Sequence, residues 1–239
     1  MLLRVRVTLP DRPGALGQVA RTLGAAGADI VQVVVLERLA GRAVDDFTVA
    51  WPGSVRADRL SADLAAVPGV RVDGIWRAPG ATAGYGHDAQ VLAQVAANPA
   101  DGLATLVDAA PGLLAADWAA AAVVPADWAV TVGHASGDGP AVAYASWQAP
   151  EAPVLPEVTP LRARAVDGAG ADRYAMAPFG RAGLVLVLAR CDGGELPPAA
   201  VHVTEVERVA QLVRAAAVIL GDRLDRLDRM SAPPATVRS

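Results

Sequence analysis

The sequence contains no lysine, since all 21 of its basic residues are arginine. This absence excludes enzymes that form a Schiff base and proteins with a P-loop ending in Gly-Lys-Ser/Thr. The only cysteine is Cys191, so the chain cannot close a disulfide within itself. Aromatic residues make up 4% of the chain and hydrophobic residues 53%. This composition predicts cores built from many small side chains.

Long hydrophobic runs are also missing. The longest aliphatic run, Ala182–Ala189, is far shorter than the roughly 20 residues that cross a bilayer. The first residues, MLLRVRV, carry Arg4 and Arg6 inside their apolar stretch, whereas a signal peptide carries its charges ahead of it. Together with the lone cysteine, these features predict a soluble, cytoplasmic protein without a membrane partner.

Positive charge is absent from the middle of the chain. Residues 1–77 hold ten arginines and eight acids, residues 78–161 no arginine and eight acids, and residues 162–239 eleven arginines and nine acids. The net charge is −4 and the isoelectric point is near 5.4. Because nucleic-acid binders carry a basic footprint, we expect no direct nucleic-acid partner.

Residues 1–77 are predicted to form a ferredoxin-like domain. Leu3, Val5, Val7 and Leu9 alternate with polar residues, which predicts a half-buried strand. After the corner PDRPG, apolar spacings of three and four predict a helix that ends at Gly27. Two strands forming a hairpin, a second helix and a fourth strand follow, over residues 30–38, 47–51, 57–67 and 70–76. The order is βαββαβ.

The remaining chain is predicted to form a linker and a second α+β domain. The linker is APGATAGYG, residues 78–86, the domain spans residues 87–230, and residues 231–239 are expected to be a disordered tail. Helices are predicted over 91–107, broken at Asn98-Pro99, and over 109–117, with a long final helix over 198–230. A mainly antiparallel sheet is predicted from six strands, over 118–124, 128–135, 141–147, 161–166, 173–179 and 184–190.

Motifs for catalysis and metal binding are missing. There is no H-E-x-x-H, no cysteine pair and no acid-rich loop, and His87, His134 and His202 are scattered along the chain. In GHASGDG the serine occupies the fourth position of the pentapeptide, so the segment does not fit a nucleophile elbow and is predicted to be a hairpin loop. Cys191 is expected to be an apolar filler, and VDGAGADRY a turn. We therefore expect no metal site, no cofactor, no catalytic residue and no enzyme activity.

The corner PDRPG differs from these segments because it joins a strand to a helix N-terminus. Free N–H groups and the helix dipole suit a carboxylate there, and Gly14 leaves room for close approach. Asp11 is placed to receive an ammonium group, and Asp29, at the start of the second strand, is a second acid at an edge. The alternative is that Asp11 only caps the helix and Asp29 only turns the chain. The residues alone leave both open.

The second strand is apolar on both faces although the topology places it at the edge of the sheet. Val31, Val33 and Val35 point one way, while Ile30, Val34 and Leu36 point the other. An apolar edge invites pairing. Either another segment of the same chain covers it, or two copies join their sheets edge to edge, and we favour the homodimer.

Residues 2–77 resemble an ACT domain. The resemblance is carried by the strand RVRVTL, the D-x-P-G corner at residues 11–14, the helix ALGQVARTLGAAGAD and the valine-rich strand after it. ACT domains are regulatory modules that pair and bind amino acids between the first strand-helix loop of one copy and the second strand of the other. The resemblance therefore implies a ligand site made of Leu9, Asp11, Arg12, Pro13, Gly14 and Ala15, completed across the interface by Asp29 and Ile30.

Residues 87–230 resemble a GAF-type sensor domain in the order of their elements and in the segment DRYAMAPFGRAGLVLVLAR. Such domains bind small molecules or serve for dimerisation, and no ligand residues are implied here. The function expected from both resemblances is that of a cytosolic, homodimeric regulatory protein that binds an amino acid. The alternatives are a ligand-free dimerisation or interaction module and, last, an enzyme with its site in the second domain.

Overall fold

A computed structural model of the chain describes residues 1–52, 57–78, 86–124, 140–159, 161–181, 183–194 and 196–225. The first 77 residues form a four-stranded antiparallel sheet, the first sheet, in the order β2-β3-β1-β4. The predicted ferredoxin-like βαββαβ arrangement is confirmed. Its elements are β1 (Leu2–Pro10), α1 (Ala15–Ala25), β2 (Asp29–Leu39), β3 (Arg42–Ala50), α2 (Ala57–Ala65) and β4 (Arg71–Arg77).

One face of the first sheet, the helical face, is covered by α1 and α2. The apolar residues of β1 that alternate along the strand all point to this face and are buried. Val19 and Leu23 of α1 and Leu60 and Leu64 of α2 complete the cluster, as their spacing predicts. Because α1 packs on the sheet, the loop between the end of β1 and the N-terminus of α1 has a fixed position.

The opposite face, the polar face, is covered as well, so the prediction that β1 is half-buried is wrong. Arg6 and Thr8 keep only 3% and 7% of their surface exposed. The Ala200 carbonyl oxygen accepts a hydrogen bond from Arg6 Nη1 at 2.6 Å, and the Glu205 carboxylate also bonds Arg6. The chain after the second sheet therefore packs on this face, which a period of two cannot reveal.

The described residues of the second half of the chain form a five-stranded antiparallel sheet, the second sheet, in the order β6-β5-β9-β8-β7. Together with the first sheet it confirms the predicted α+β class. Its elements are α3 (His87–Ala97), α4 (Gly102–Leu114), β5 (Trp118–Val123), β6 (Ala141–Ala145), β7 (Arg164–Asp167), β8 (Arg173–Pro178), β9 (Leu184–Arg190) and the long α5 (Val203–Leu220).

The centre of the second sheet is buried on both faces by small side chains. Every residue of β5, WAAAAV, and of β9, LVLVLAR, is buried. One face packs on α3, α4 and α5, and the other on a cluster that includes Val158 and Met176. Closely packed alanine and valine side chains thus fill this core in place of aromatic residues, as the composition predicts.

Two predicted helix boundaries are wrong. The short helix predicted over 109–117 is the end of α4, which continues through Pro111 to Leu114. The final helix begins at Val203 and not at Pro198, because His202 and Glu205 form a capping box there, and Gly221, at φ +52°, ends it.

Several predictions fall on residues outside the described ranges: the strand at 128–135, most of the linker and the tail. Within those ranges, no helix combines the length and the apolar character that crossing a bilayer requires.

Candidate functional site

The loop between β1 and α1, residues 11–14, is held against the turn that joins β2 to β3. The Asp11 N–H donates to the Gly41 carbonyl oxygen at 2.8 Å, and the Arg12 N–H donates to the Pro10 carbonyl oxygen at 2.9 Å. These bonds fix the loop, called the corner below, at the end of the sheet where β1 stops and β3 starts. Four of the predicted site residues therefore lie together in one anchored loop.

The helix α1 starts at the corner without a side-chain cap. Its N-cap residue is Gly14, in the left-handed region at φ +87°, and no side chain accepts a bond from the first turn. The alternative that Asp11 caps α1 is therefore wrong, and its Oδ1 instead lies 3.7 Å from Arg38 Nε. Apart from its chain neighbours, no atom lies within 4 Å of where a Cβ on Gly14 would sit. The approach to this helix terminus is open.

A buried acid lies beneath the corner. Asp45 of β3 is paired with Val7 and Val35 on the helical face, is 3% exposed, and has no hydrogen-bond partner for its Oδ1. Burial raises the pKa of Asp45 above its ordinary value. The positive charge of Arg38 lowers this pKa, and the negative charge of the nearby Asp11 raises it further. Because an unpartnered buried carboxylate oxygen is costly, Asp45 Oδ1 is a vacant hydrogen-bond acceptor close to Asp11.

Sequence reasoning missed Asp45, although a signal was present. In the strand AVDDFTVA two acids are adjacent, so one of them must lie on the same face as Ala43, Phe47 and Val49. An acid on the apolar face of a central strand is rarely buried without a partner. That conflict marks the position as a candidate for function.

The predicted residues that flank the corner differ in accessibility. Leu9 and Ala15 are buried in the core, at 3% and 5% exposure, so only their backbone atoms can face a ligand. Arg12 and Pro13 are exposed. Among the sequence-predicted residues, the exposed side chains at the corner are therefore those of Asp11, Arg12 and Pro13.

Asp29 and Ile30 lie far from the corner within one chain. β2 pairs antiparallel with β3, as does β1, so β2 runs parallel to β1 and Asp29 lies at the opposite end of the sheet from Asp11. A strand of this length separates the two ends by about 30 Å. Asp29 is exposed and Ile30 packs partly against the core. One copy alone does not bring the two acids together.

The edge strand β2 exposes apolar side chains along its length. Val31, Val33 and Val35 are 48%, 37% and 46% exposed, and Leu16 at the start of α1 is 41% exposed. Among the described residues, β3 is the only strand that pairs with β2, so the other edge of β2 is unpaired there. The register with β3 shifts twice along β2, which marks two bulges.

A group of buried charges joins the polar face of the first sheet to α5 and β9. This boundary network consists of Arg6, Asp46, Arg190 and Glu205. Arg6 donates to both carboxylate oxygens of Asp46, at 2.6 and 2.8 Å, and to Glu205 Oε2 at 2.8 Å. Arg190 donates to Glu205 and to the Leu114 carbonyl oxygen. The network links β1, five residues before the corner, to the start of α5.

Cys191 lies beside a cavity of about 530 Å³ that Trp76, Arg77, Asp117 and Asp192 also line. Burial raises the pKa of the Cys191 thiol, which disfavours the nucleophilic thiolate. The turn predicted at VDGAGADRY joins β7 to β8, whereas GHASGDG and His134 lie outside the described residues. Over the ranges that the structure covers, no three His, Cys, Asp or Glu residues are grouped to hold a metal ion.

Comparisons with known proteins add little. No protein-family model matches the chain, and no curated protein matches it. Among solved structures, a formyltetrahydrofolate deformylase from Pseudomonas putida KT2440 is similar at 14% identity with a TM-score of 0.27. The matched part covers 41% of this chain and 39% of that enzyme.

Proposed function

We propose that the protein is a cytosolic regulatory protein of the ACT type, followed by a GAF-type sensor domain, and that it binds an α-amino acid at the corner. The observation that carries this proposal is Asp45, a buried carboxylate with an unpartnered oxygen beneath an uncapped helix N-terminus. The proposed role is ligand binding, and no reaction is assigned to the protein.

The corner offers opposite charges to the two ends of an α-amino acid. The ligand carboxylate accepts hydrogen bonds from the first turn of α1, where the helix dipole favours an anion. The ligand ammonium donates to Asp11 and to the vacant Oδ1 of Asp45. A charge-assisted hydrogen bond to a buried acceptor is about twice as strong as a neutral one, so Asp45 supplies much of the affinity.

A second copy supplies the rest of the site. If two β2 strands pair antiparallel about Val34, each Asp29 lies opposite Leu39 of the other copy, because Asp29 and Leu39 are the two ends of the strand. Leu39 follows Arg38, whose side chain is next to Asp11 at the corner. This pairing brings Asp29 of the partner to the corner and covers the exposed valines of β2.

The boundary network offers a route from the corner to the second sheet. β1 ends at the corner and carries Arg6, whose guanidinium bonds Glu205 at the start of α5. A regulatory role requires that ligand binding change the equilibrium between two states of the protein. If β1 shifts on ligand binding, the buried pair of Arg6 and Glu205 transmits that movement to α5.

The first test is thermal melting with each of the twenty amino acids. A ligand at 100 times its dissociation constant adds about 2.7 kcal/mol to the free energy of unfolding, which raises the melting temperature by roughly 5–10 °C in a protein of this size. Asp45→Asn is expected to abolish that shift, because the amide lacks the charge that attracts the ammonium. Without ligand the variant should melt no lower than the wild type, since it removes an unpaired buried charge.

The matched control is Asp63→Asn on α2, whose side chain is 49% exposed. It should keep the full response. If no amino acid raises the melting temperature, or if Asp45→Asn keeps the response, the proposal is overturned. The first of these outcomes would favour the ligand-free dimerisation module.

The second test addresses the dimer. Val33→Lys places a charge in the middle of the proposed pairing edge and is expected to reduce the mass in light scattering from a dimer to the 24.4 kDa of one chain. The amino-acid response should disappear with it, because the partner completes the site. The control is Val142→Lys on β6, an edge strand of the second sheet, where the valine is 40% exposed. A dimer that survives Val33→Lys would refute pairing through β2.

A further inference from the structure

A cavity of about 300 Å³ lies between the polar face of the first sheet and the helices of the second half of the chain. Arg4 of β1, Asp46 of β3 and Glu205 and Arg208 of α5 contribute charged groups to its wall. Its apolar wall is formed by Val34 and Leu36 of β2 with Leu113 and Leu114 of α4. Its size is at the lower end of the range for small-molecule sites. The cavity is distinct from the corner, because Asp45 lies on the opposite, helical face of the first sheet.

Arg4 lacks the hydrogen bonds that a buried guanidinium needs. Its side chain is 12% exposed, and its Nε is buried without a partner. The nearest carboxylate oxygen is Asp46 Oδ2, 3.6 Å from Arg4 Nη1, which is beyond hydrogen-bonding distance. Both oxygens of Asp46 already accept from Arg6, at 2.6 and 2.8 Å. Asp46 is therefore committed to the neighbouring arginine.

The charges around the cavity do not balance. Three guanidiniums, those of Arg4, Arg6 and Arg190, share two carboxylates, those of Asp46 and Glu205. Burial lowers the pKa of Arg4, yet an arginine stays protonated in proteins. One positive charge is left over, and an unpaired buried charge is costly.

Arg208, which also lines the cavity, does not change this balance. Its guanidinium bonds both oxygens of Asp88, at 2.9 and 2.6 Å, and the Leu113 carbonyl oxygen at 2.9 Å. It is thus neutralised by its own acid. The surplus positive charge belongs to Arg4, whose side chain contributes to the wall of the cavity.

We infer that this cavity is a binding site for a short-chain aliphatic monocarboxylate. The ligand carboxylate accepts hydrogen bonds from the Arg4 guanidinium in the two-pronged geometry that arginine favours. Its hydrocarbon tail lies against Val34, Leu36, Leu113 and Leu114. The apolar wall selects a carboxylate with a tail over inorganic phosphate, and the site needs no ammonium group.

The test is calorimetric titration of the full chain with three probes at constant ionic strength: isovalerate, its neutral amide isovaleramide, and inorganic phosphate. Isovalerate is expected to bind and the other two are not. Arg4→Met should weaken isovalerate binding by about tenfold or more, because a charge-assisted hydrogen bond is lost. The control Arg59→Met removes an arginine of α2 whose side chain is 78% exposed and should bind as the wild type does.

Two further variants keep the test decisive. Leu36→Trp fills the cavity and leaves Arg4 in place, so it should also abolish binding, including where Arg4→Met does not fold. Asp45→Asn acts at the corner and should leave isovalerate binding unchanged, which separates this site from the proposed amino-acid site. The inference is overturned if isovalerate does not bind, if the amide binds as tightly, if phosphate alone binds, or if Arg4→Met and Leu36→Trp keep wild-type affinity.

Discussion

Glu205→Gln is expected to lower the free energy of unfolding by about 3–5 kcal/mol, the cost of breaking a buried ion pair from one side. Glu205 Oε2 accepts from Arg6 Nη2 at 2.8 Å and from the His202 N–H at 2.9 Å, and its Oε1 accepts from Arg190 Nη2. A neutral amide leaves two buried guanidiniums facing each other without the carboxylate between them. This loss of stability is greater than the loss expected from neutralising a charge on the surface.

The same variant predicts a change in pH dependence. Burial by itself raises the pKa of Glu205, but the charges of Arg190 and Arg6 outweigh it and lower the pKa from 4.5 to about 2. A carboxyl whose pKa is lower in the folded state stabilises the fold above its unfolded pKa. That stabilisation, about 3 kcal/mol, is lost as the pH falls from 4.5 towards 2. Glu205→Gln lacks this contribution, so the difference from the wild type narrows over that interval.

Urea unfolding at a series of pH values measures both effects. Glu207→Gln is the matched control, because Glu207 is exposed two residues further along α5 and should change the unfolding free energy by less than about 0.5 kcal/mol. Equal stability of the two variants would show that the boundary network contributes nothing beyond a surface charge.

The elements of the first sheet are predictable from sequence because local patterns determine them. Alternation in β1, the apolar stripe of α1 and the corner between them each follow from neighbouring residues. A period of two, however, states which residues share a face and not whether that face is covered. Arg6 is therefore predicted on an exposed face, whereas residues almost 200 positions later in the chain bury it.

The candidate site is predictable in part for the same reason. Turn chemistry and the helix terminus identify Asp11 and Gly14 from a few adjacent residues. The position of Asp45 depends on β3 lying beside β1, where Asp45 is paired with Val7, and only the assembled sheet provides that pairing. The start of α5 differs from the predicted one because His202 is not among the residues favoured at an N-cap.

The surplus positive charge of Arg4 is still harder to foresee. It appears as one more polar residue in the alternation of β1, identical in pattern to Arg6 two positions later. What separates them is that Asp46 and Glu205 both hydrogen-bond Arg6, whereas Asp46 Oδ2 lies 3.6 Å from Arg4. Such an imbalance arises from the count of charges in a buried space and not from any motif.

Gly74→Ala is expected to destabilise the protein by about 3 kcal/mol although it adds only one methyl group. A Cβ on Gly74 would lie 2.5 Å from the Ala199 backbone nitrogen and 2.8 Å from its Cα, so the segment that crosses the polar face must move. Overpacking of this kind costs about 1–3 kcal/mol. Gly74 is also paired with Arg6, which donates to the adjacent Ala200 carbonyl oxygen at 2.6 Å, and displacing that oxygen weakens a further charge-assisted bond.

The control for Gly74→Ala is Gly24→Ala in α1, where nothing lies within 4 Å of the added Cβ. Because glycine inside a helix is less favourable than alanine by about 0.5–1 kcal/mol, this variant should be slightly more stable than the wild type. Both substitutions add one methyl group. Opposite changes in the free energy of unfolding, measured with urea, therefore isolate the contact with residues 199–200. If Gly74→Ala unfolds at the same urea concentration as the wild type, residues 199–200 move aside for the added methyl group without loss of stability. Close packing of these residues on the polar face would then not stabilise the protein.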